Sequence, residues 1–172
     1  IKDSLGRDWQ LATVQLDFHQ PEALELTYTD NSGGEKRPVM IHRAILGSFE
    51  RYIGILTEHY QGSFPAWLCP VQVMVLPISD KVHDFAKDIT SKIKNEGIRV
   101  ELEDSNKTIG AKIREATLQR IPYQCIIGEK EREQSKNGNM FVSVRNREGT
   151  DLGLQEINSF LSAVKEQVEK KS

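Results

Sequence analysis

A chain of 172 residues with 38% hydrophobic and 28% charged content reads as a soluble globular protein, long enough to bury a real core as one domain or two small ones. A formal net charge of -2 gives no global pull toward nucleic acid, so any RNA contact must come from a local patch. No secretory leader or membrane-length apolar run is seen, and Cys69 and Cys125, far apart in apolar settings, read as buried thiols of a reducing compartment, so a cytoplasmic protein is expected.

The first residues, from Ile1, read as part of a strand without an initiator methionine or a cap, and the chain is expected to be the carboxyl portion of a larger polypeptide. Gln10 to Phe18 and Ala23 to Thr29 alternate like antiparallel strands joined by the turn-prone His19-Gln20-Pro21-Glu22, and Asp30 to Gly34 is a polar hairpin end. Val39, Met40 and Ile41 form a short apolar strand that Pro38 can only begin or edge. From Ile45, the apolar residues Ile45, Phe49, Tyr52, Ile53 and Leu56 step by three and four, the period of a helix. His42 is thereby expected near the strand-to-helix junction and Arg51 about two turns into the helix. Gly47 and Gly54, one heptad apart, are costly inside a helix unless something must approach closely. The pattern asks for a ligand.

Near Pro70 the period changes to strands alternating with helices. Val71 to Ile78 is a near-continuous apolar strand; Asp80 is an N-cap candidate for a helix to about Glu96, which Gly97 stops. Strands are expected at Ile98–Leu102, Tyr123–Gly128 and Met140–Val144, and helices at Ile109–Arg120 and from Asp151 to about Lys170. Lys130 to Gly138 reads as a charged loop ending in an Asn137-Gly138 turn. Such alternation implies a largely parallel sheet covered on both faces.

The run R-P-V-M-I-H-R-A-I-L-G-S-F-E-R-Y, Arg37 to Tyr52, resembles motif 3 of the class II aminoacyl-tRNA synthetases in the form carried by the threonyl-tRNA synthetases. Leu5 to Phe18 resembles the strand pair before that motif, and F-P-A-W-L-C-P-V-Q-V, Phe64 to Val73, the passage into an anticodon-binding domain. The likeness continues through I-G-A-K-I-R-E, Ile109 to Glu115, and so covers essentially the whole chain. It implies residues 1–69 as the end of a class II catalytic domain, an α+β antiparallel-sheet fragment. Residues 70–172 would be an α/β anticodon-binding domain with a mixed, largely parallel sheet and flanking helices.

The resemblance also implies roles. In the family the histidine matching His42 ligates a zinc ion that holds the threonine amino and hydroxyl groups, its two fellow ligands lying upstream. By itself His42 reads as a hydrogen-bonded structural residue, since catalytic zinc needs three protein ligands and His19, His59 and His83 are scattered. Zinc would read a hydroxyl that an apolar pocket reads poorly. Arg51, which alone could pair with Glu50 or Glu58, matches the arginine that contacts ATP and its magnesium-bound phosphate tail, a task suited to a permanently charged, forked and flat guanidinium. Gly47 and Ser48 would be small so that the nucleotide can approach. Gln10, Thr13 and Gln15 match pocket-lining positions, although alternation puts Gln10 out of phase with the other two and Leu11 stands where many relatives have cysteine.

Between Lys107 and Arg147 nine Lys/Arg face four Glu, a local excess of five. Alone, this is a solvated face as readily as an RNA patch. The resemblance favours RNA: Asn106, Arg114, Glu131 and Arg145 match positions that read the anticodon of tRNA(Thr), a G followed by a U, and Lys112 and Arg147 would meet phosphates. The expected protein is then the carboxyl part of an enzyme that activates threonine with ATP, works as a homodimer and charges tRNA. The alternatives are a stand-alone tRNA-binding module and a different synthetase of the same subclass.

Overall fold

The change of period along the chain corresponds to two compact units, Ile1–Gly62 and Ser63–Ser172, in a computed structural model that describes residues 1–135 and 138–171. Lys136 and Asn137, part of the expected basic patch and turn, lie outside the described residues.

In the first unit, strand β1 (Thr13–Asp17) pairs antiparallel with β4 (Met40–Ala44), with Gln15 opposite His42 and Asp17 opposite Met40. The second strand expected at Ala23–Thr29 is mostly absent. Asp17 Oδ1 accepts from the N–H groups of His19 and Gln20, both at 2.9 Å, and starts a short helix, α1 (His19–Ala23), in place of the turn. Only Tyr28–Thr29 (β2) remains extended, and it pairs with Glu35–Lys36 (β3) rather than with β1. Asp30 closes that hairpin by accepting from the Ser32 and Gly34 N–H groups. Helix α2 (Phe49–Tyr60) starts later than the apolar period suggests, because Gly47 takes a left-handed φ of 68° that no helix continues and Ser48 then caps the first turn. His42 therefore lies within β4, away from a junction, and Arg51 in the first turn of α2. Gly54 has nothing within 4 Å of the place a Cβ would take, so no close approach demands it.

The second unit is built on a five-stranded sheet in the order β6 (Val100–Leu102), β5 (Val73–Pro77), β7 (Tyr123–Ile127), β8 (Phe141–Asn146), β9 (Asp151–Glu156). The first three strands are parallel; β8 and β9 are antiparallel additions, so the sheet is mixed. Strand β5 is a continuous apolar run because both its faces are buried. Val73 and Val75 face α3 (His83–Asn95) and α6 (Ile157–Lys170) with Ala86, Ile89, Phe160 and Leu161, while Met74 and Leu76 pack with Ala116 of α4 (Ile109–Leu118) and Ile121.

Several boundaries move for local reasons. Asp80 opens a single 3-10 turn, Asp80–Val82, ahead of α3 instead of capping it. Strand β9 occupies the start of the expected last helix: Leu152 and Leu154 alternate, Gly153 takes φ 76° beside a register shift, and Glu156 caps α6 by accepting from the Ser159 N–H at 3.2 Å. Much of the expected charged loop is a helix, α5 (Glu129–Gln134), with Gly128 before it.

The seam between units lies ahead of Pro70 because segment 64–69 is held by the second unit. Arg99 donates to the carbonyls of Cys69 and Trp67, both at 2.8 Å, and of Ala66 at 3.4 Å, and Gln72 Nε2 donates to Ala66 at 2.9 Å. Arg99→Ala is expected to cost about 1–2 kcal/mol and to open this segment, seen as faster proteolysis near Trp67 with the unit's core intact; an unchanged cleavage rate would remove the clamp. Both cysteines are buried and unpaired with each other: Cys125 on β7 is fully enclosed, and Cys69 Sγ donates to the Phe64 carbonyl at 3.2 Å. Burial pushes both thiols up, opposed at Cys69 by Arg147 and Arg99. Among the described residues no helix is long and apolar enough to cross a membrane.

Candidate functional site

In the first unit the period of two along β1 brings Thr13, Gln15 and Asp17 to one face, and the register adds His42 from β4. Gln15, Asp17 and His42, with His19, line an open depression; Thr13 shares their face but lies outside it. His42 Nε2 lies 2.9 Å from Asp17 Oδ2. The Gln20 N–H, then His42 and the His19 N–H, hold the Asp17 carboxyl below its usual range, against the effect of burial. Among the described residues no group of three His, Cys, Asp or Glu side chains that could hold a metal ion stands together. The opposite face of the same ribbon is apolar and exposed, with Val14 at 66%, Leu16 at 61% and Ile41 at 64%, a surface that asks for a covering partner.

Arg51 follows Ser48 by three residues, and its N–H donates to Ser48 Oγ at 3.2 Å. The serine thus shapes the helix start. Gly47 is required by its backbone angle, its absent Cβ lying 3.6 Å from the Leu11 carbonyl in ordinary contact. Gln10 lies before β1 begins, which accounts for its phase. The Arg51 guanidinium stands 5.6 Å from the centroid of the Trp9 ring, and among the described residues it makes no ion pair. Glu58, a possible partner by sequence, accepts from Ser4 Oγ at 3.3 Å.

In the second unit the carboxyl ends of β5, β6 and β7 gather the loop after β6, the start of α4 and the start of α5, the place where open α/β sheets bind ligands. Asn106 is exposed in the first of these, and Arg114 is exposed on the outer side of α4. Glu131 is nearly buried: Oε2 accepts from the Gly128 N–H at 2.8 Å and Oε1 from Ser143 Oγ at 2.6 Å. Arg145 follows Ser143 by two residues on the same face of β8, beside Gln124 of β7.

Two expected phosphate contacts do not join this group. Lys112 is 5% exposed, its ammonium donating to the carbonyls of Pro77 at 3.2 Å and Glu103 at 3.1 Å, so it ties the loop after β6 to the end of β5 and cannot meet a phosphate on the surface. Arg147 lies beyond the far end of β8, its N–H on the Pro122 carbonyl and its guanidinium beside Cys69, away from Glu131. What sequence reasoning missed is the contact between Asp3 and Trp9: the indole nitrogen donates to Asp3 Oδ2 at 2.8 Å, and although Trp9 lies in the resembling stretch Leu5 to Phe18, Asp3 lies outside it.

Comparison with known proteins supplies the context for this geometry. The family described as Anticodon binding domain matches residues 72–167, and the one described as tRNA synthetase class II core domain (G, H, P, S and T) matches residues 1–60. A threonine–tRNA ligase of Caldanaerobacter subterraneus subsp. tengcongensis is 50% identical over 172 residues, all of this chain and 26% of the relative. Another from Prochlorococcus marinus is 51% identical over 161 residues, 94% of this chain and 24% of the relative. The solved RNA binding domain of threonyl-tRNA synthetase from Cryptosporidium parvum Iowa II superposes with a TM-score of 0.80 at 35% identity, over 96% of this chain and 41% of that one. The chain spans about a quarter of the length of the curated relatives it matches, in their carboxyl-terminal part.

Proposed function

Because the chain belongs to the anticodon-binding domain family and carries a class II tRNA synthetase core segment ahead of that domain, we propose that it works as the carboxyl portion of a cytoplasmic threonine–tRNA ligase. The observation that carries this reading is similarity to threonine–tRNA ligases that runs through both units without a break, at 50% identity over 172 residues. In this reading the first unit, Ile1–Gly62, supplies part of the site that joins threonine to ATP, and the second unit binds tRNA(Thr).

Arg51 meets the phosphate tail of magnesium-bound ATP. Its support is a guanidinium that leans on an aromatic face and is bound to no carboxylate, which leaves its N–H donors for an anion. Gln10, Thr13 and Gln15 line the same ATP and substrate pocket, and Ser48 and Gly47 set the direction of the helix that carries Arg51. His42 would be this chain's single contribution to a zinc centre completed by residues outside it, in a protein that pairs as a homodimer. In the second unit Asn106, Arg114 and Arg145 present exposed or half-exposed donors to anticodon bases, and Glu131 keeps the start of α5 against β8 beside them.

The decisive experiment uses the full-length protein that contains this chain. Threonine-dependent exchange of pyrophosphate into ATP and charging of tRNA(Thr) are expected, and failure with threonine alongside success with another amino acid would replace the substrate. Arg145→Ala should weaken cognate tRNA binding by roughly 1–3 kcal/mol while hardly affecting non-cognate tRNA. An equal loss across all tRNAs would make Arg145 a phosphate contact instead of a base reader.

A further inference from the structure

We propose that Trp9 is a positioning residue for Arg51 and that Asp3 holds Trp9 in place, a tie that rests on the reading of Arg51 as an ATP contact. Residues 1–9 close on themselves: the Ile1 backbone nitrogen donates to the Trp9 carbonyl at 2.9 Å, and the Trp9 N–H returns to the Ile1 carbonyl at 2.8 Å. Asp3 sits inside this loop with its side chain fully enclosed. It accepts from the Leu5 and Arg7 N–H groups, both at 2.9 Å, from Arg7 Nε at 2.6 Å and from Trp9 Nε1 at 2.8 Å. Arg7 ion-pairs with Asp3 at 2.6 Å, and its guanidinium stands 5.9 Å from the same indole centroid, so the ring carries a cation from each of two arginines. Arg51, 5.6 Å from the indole centroid, makes no ion pair among the described residues.

An aromatic face suits this task better than a carboxylate. It attracts the cation through the ring quadrupole and fixes where the guanidinium plane lies, yet uses none of its five N–H donors. The hydrogen bond from the indole N–H to Asp3 fixes the ring's orientation. Asp3 therefore acts on the phosphate-binding arginine without approaching the nucleotide.

The test uses the full-length protein in threonine-dependent pyrophosphate exchange. Trp9→Leu is expected to raise KM for ATP about three- to thirty-fold, with KM for threonine and the affinity for tRNA within about two-fold of their starting values. Trp9→Phe, which keeps a ring face, should restore most of the loss, and Asp3→Asn should raise KM for ATP in the same direction. In an Arg51→Ala background Trp9→Leu should add nothing. The tie is overturned by an unchanged KM for ATP in Trp9→Leu, by additive effects in the double variant, or by a uniform fall in every parameter together with the thermal midpoint. If Arg51→Ala leaves exchange intact, the ATP site itself is misassigned; if Arg51→Ala impairs exchange and Trp9→Leu does not, only the positioning role fails.

Discussion

Arg51→Ala in the full-length protein is expected to slow threonine-dependent pyrophosphate exchange about 100-fold, roughly 2.7 kcal/mol of transition-state stabilisation. Binding of tRNA by the second unit should be unchanged, because Arg51 belongs to the first. The size follows from the setting: among the described residues the guanidinium has no carboxylate partner, and it stands 5.6 Å from the Trp9 ring on the capped first turn of α2, so in the proposed site its donors would be placed before a nucleotide bound. Arg51→Lys should recover little, since an ammonium lacks both the fork and the flat face that rests on an indole. The side chain is exposed, so either change should leave stability within about 0.5 kcal/mol. Exchange rates within two-fold of the starting protein would take Arg51 out of the site.

Glu131→Ala is expected to lower the unfolding free energy by about 2–4 kcal/mol, read from the urea transition of the second unit. One carboxylate holds the Gly128 N–H before α5 and the Ser143 hydroxyl of β8, and the substitution leaves both donors without a partner in a nearly buried place. Glu131→Gln keeps the shape and should cost less. A variant with an unchanged transition but weaker cognate tRNA binding would show instead that the carboxylate is spent on a base.

The comparison between Glu131 and Lys112 shows what the sequence could disclose. Both lie in a stretch rich in charge, and charge there reads equally well as an RNA face or as solvated ion pairs. Which side chain turns inward depends on loops that the period does not describe: Lys112 is taken by the carbonyls at the ends of β5 and β6, and Glu131 by a glycine N–H. Elements with a strong period were legible, as in β5, α3 and α4, where apolar residues repeat over several turns or both faces are buried. Short elements decided by a single side chain were not. Asp17 converts an expected turn into α1, and Gly153 with Leu152 and Leu154 makes a strand of the first six residues of the expected last helix, which then runs as α6. In the candidate site Thr13, Gln15 and His42 met as alternation and pairing require. The Asp3–Trp9–Arg51 contact joins residues far apart in sequence through an aromatic face, which leaves no periodic trace.

The two sealed thiols give the second unit an internal clock. Thiolate is the reactive form, and both residues are enclosed, 4% exposed at Cys69 and 0% at Cys125, with burial pushing both thiols up, so a reagent is expected to reach each sulfur chiefly through opening. Their positions differ in kind: Cys125 lies in the strand shared by both core faces, whereas Cys69 sits in the segment clamped by Arg99. A thiol reagent in excess would therefore time two separate events, the lifting of the clamped segment at one sulfur and the opening of the whole sheet at the other.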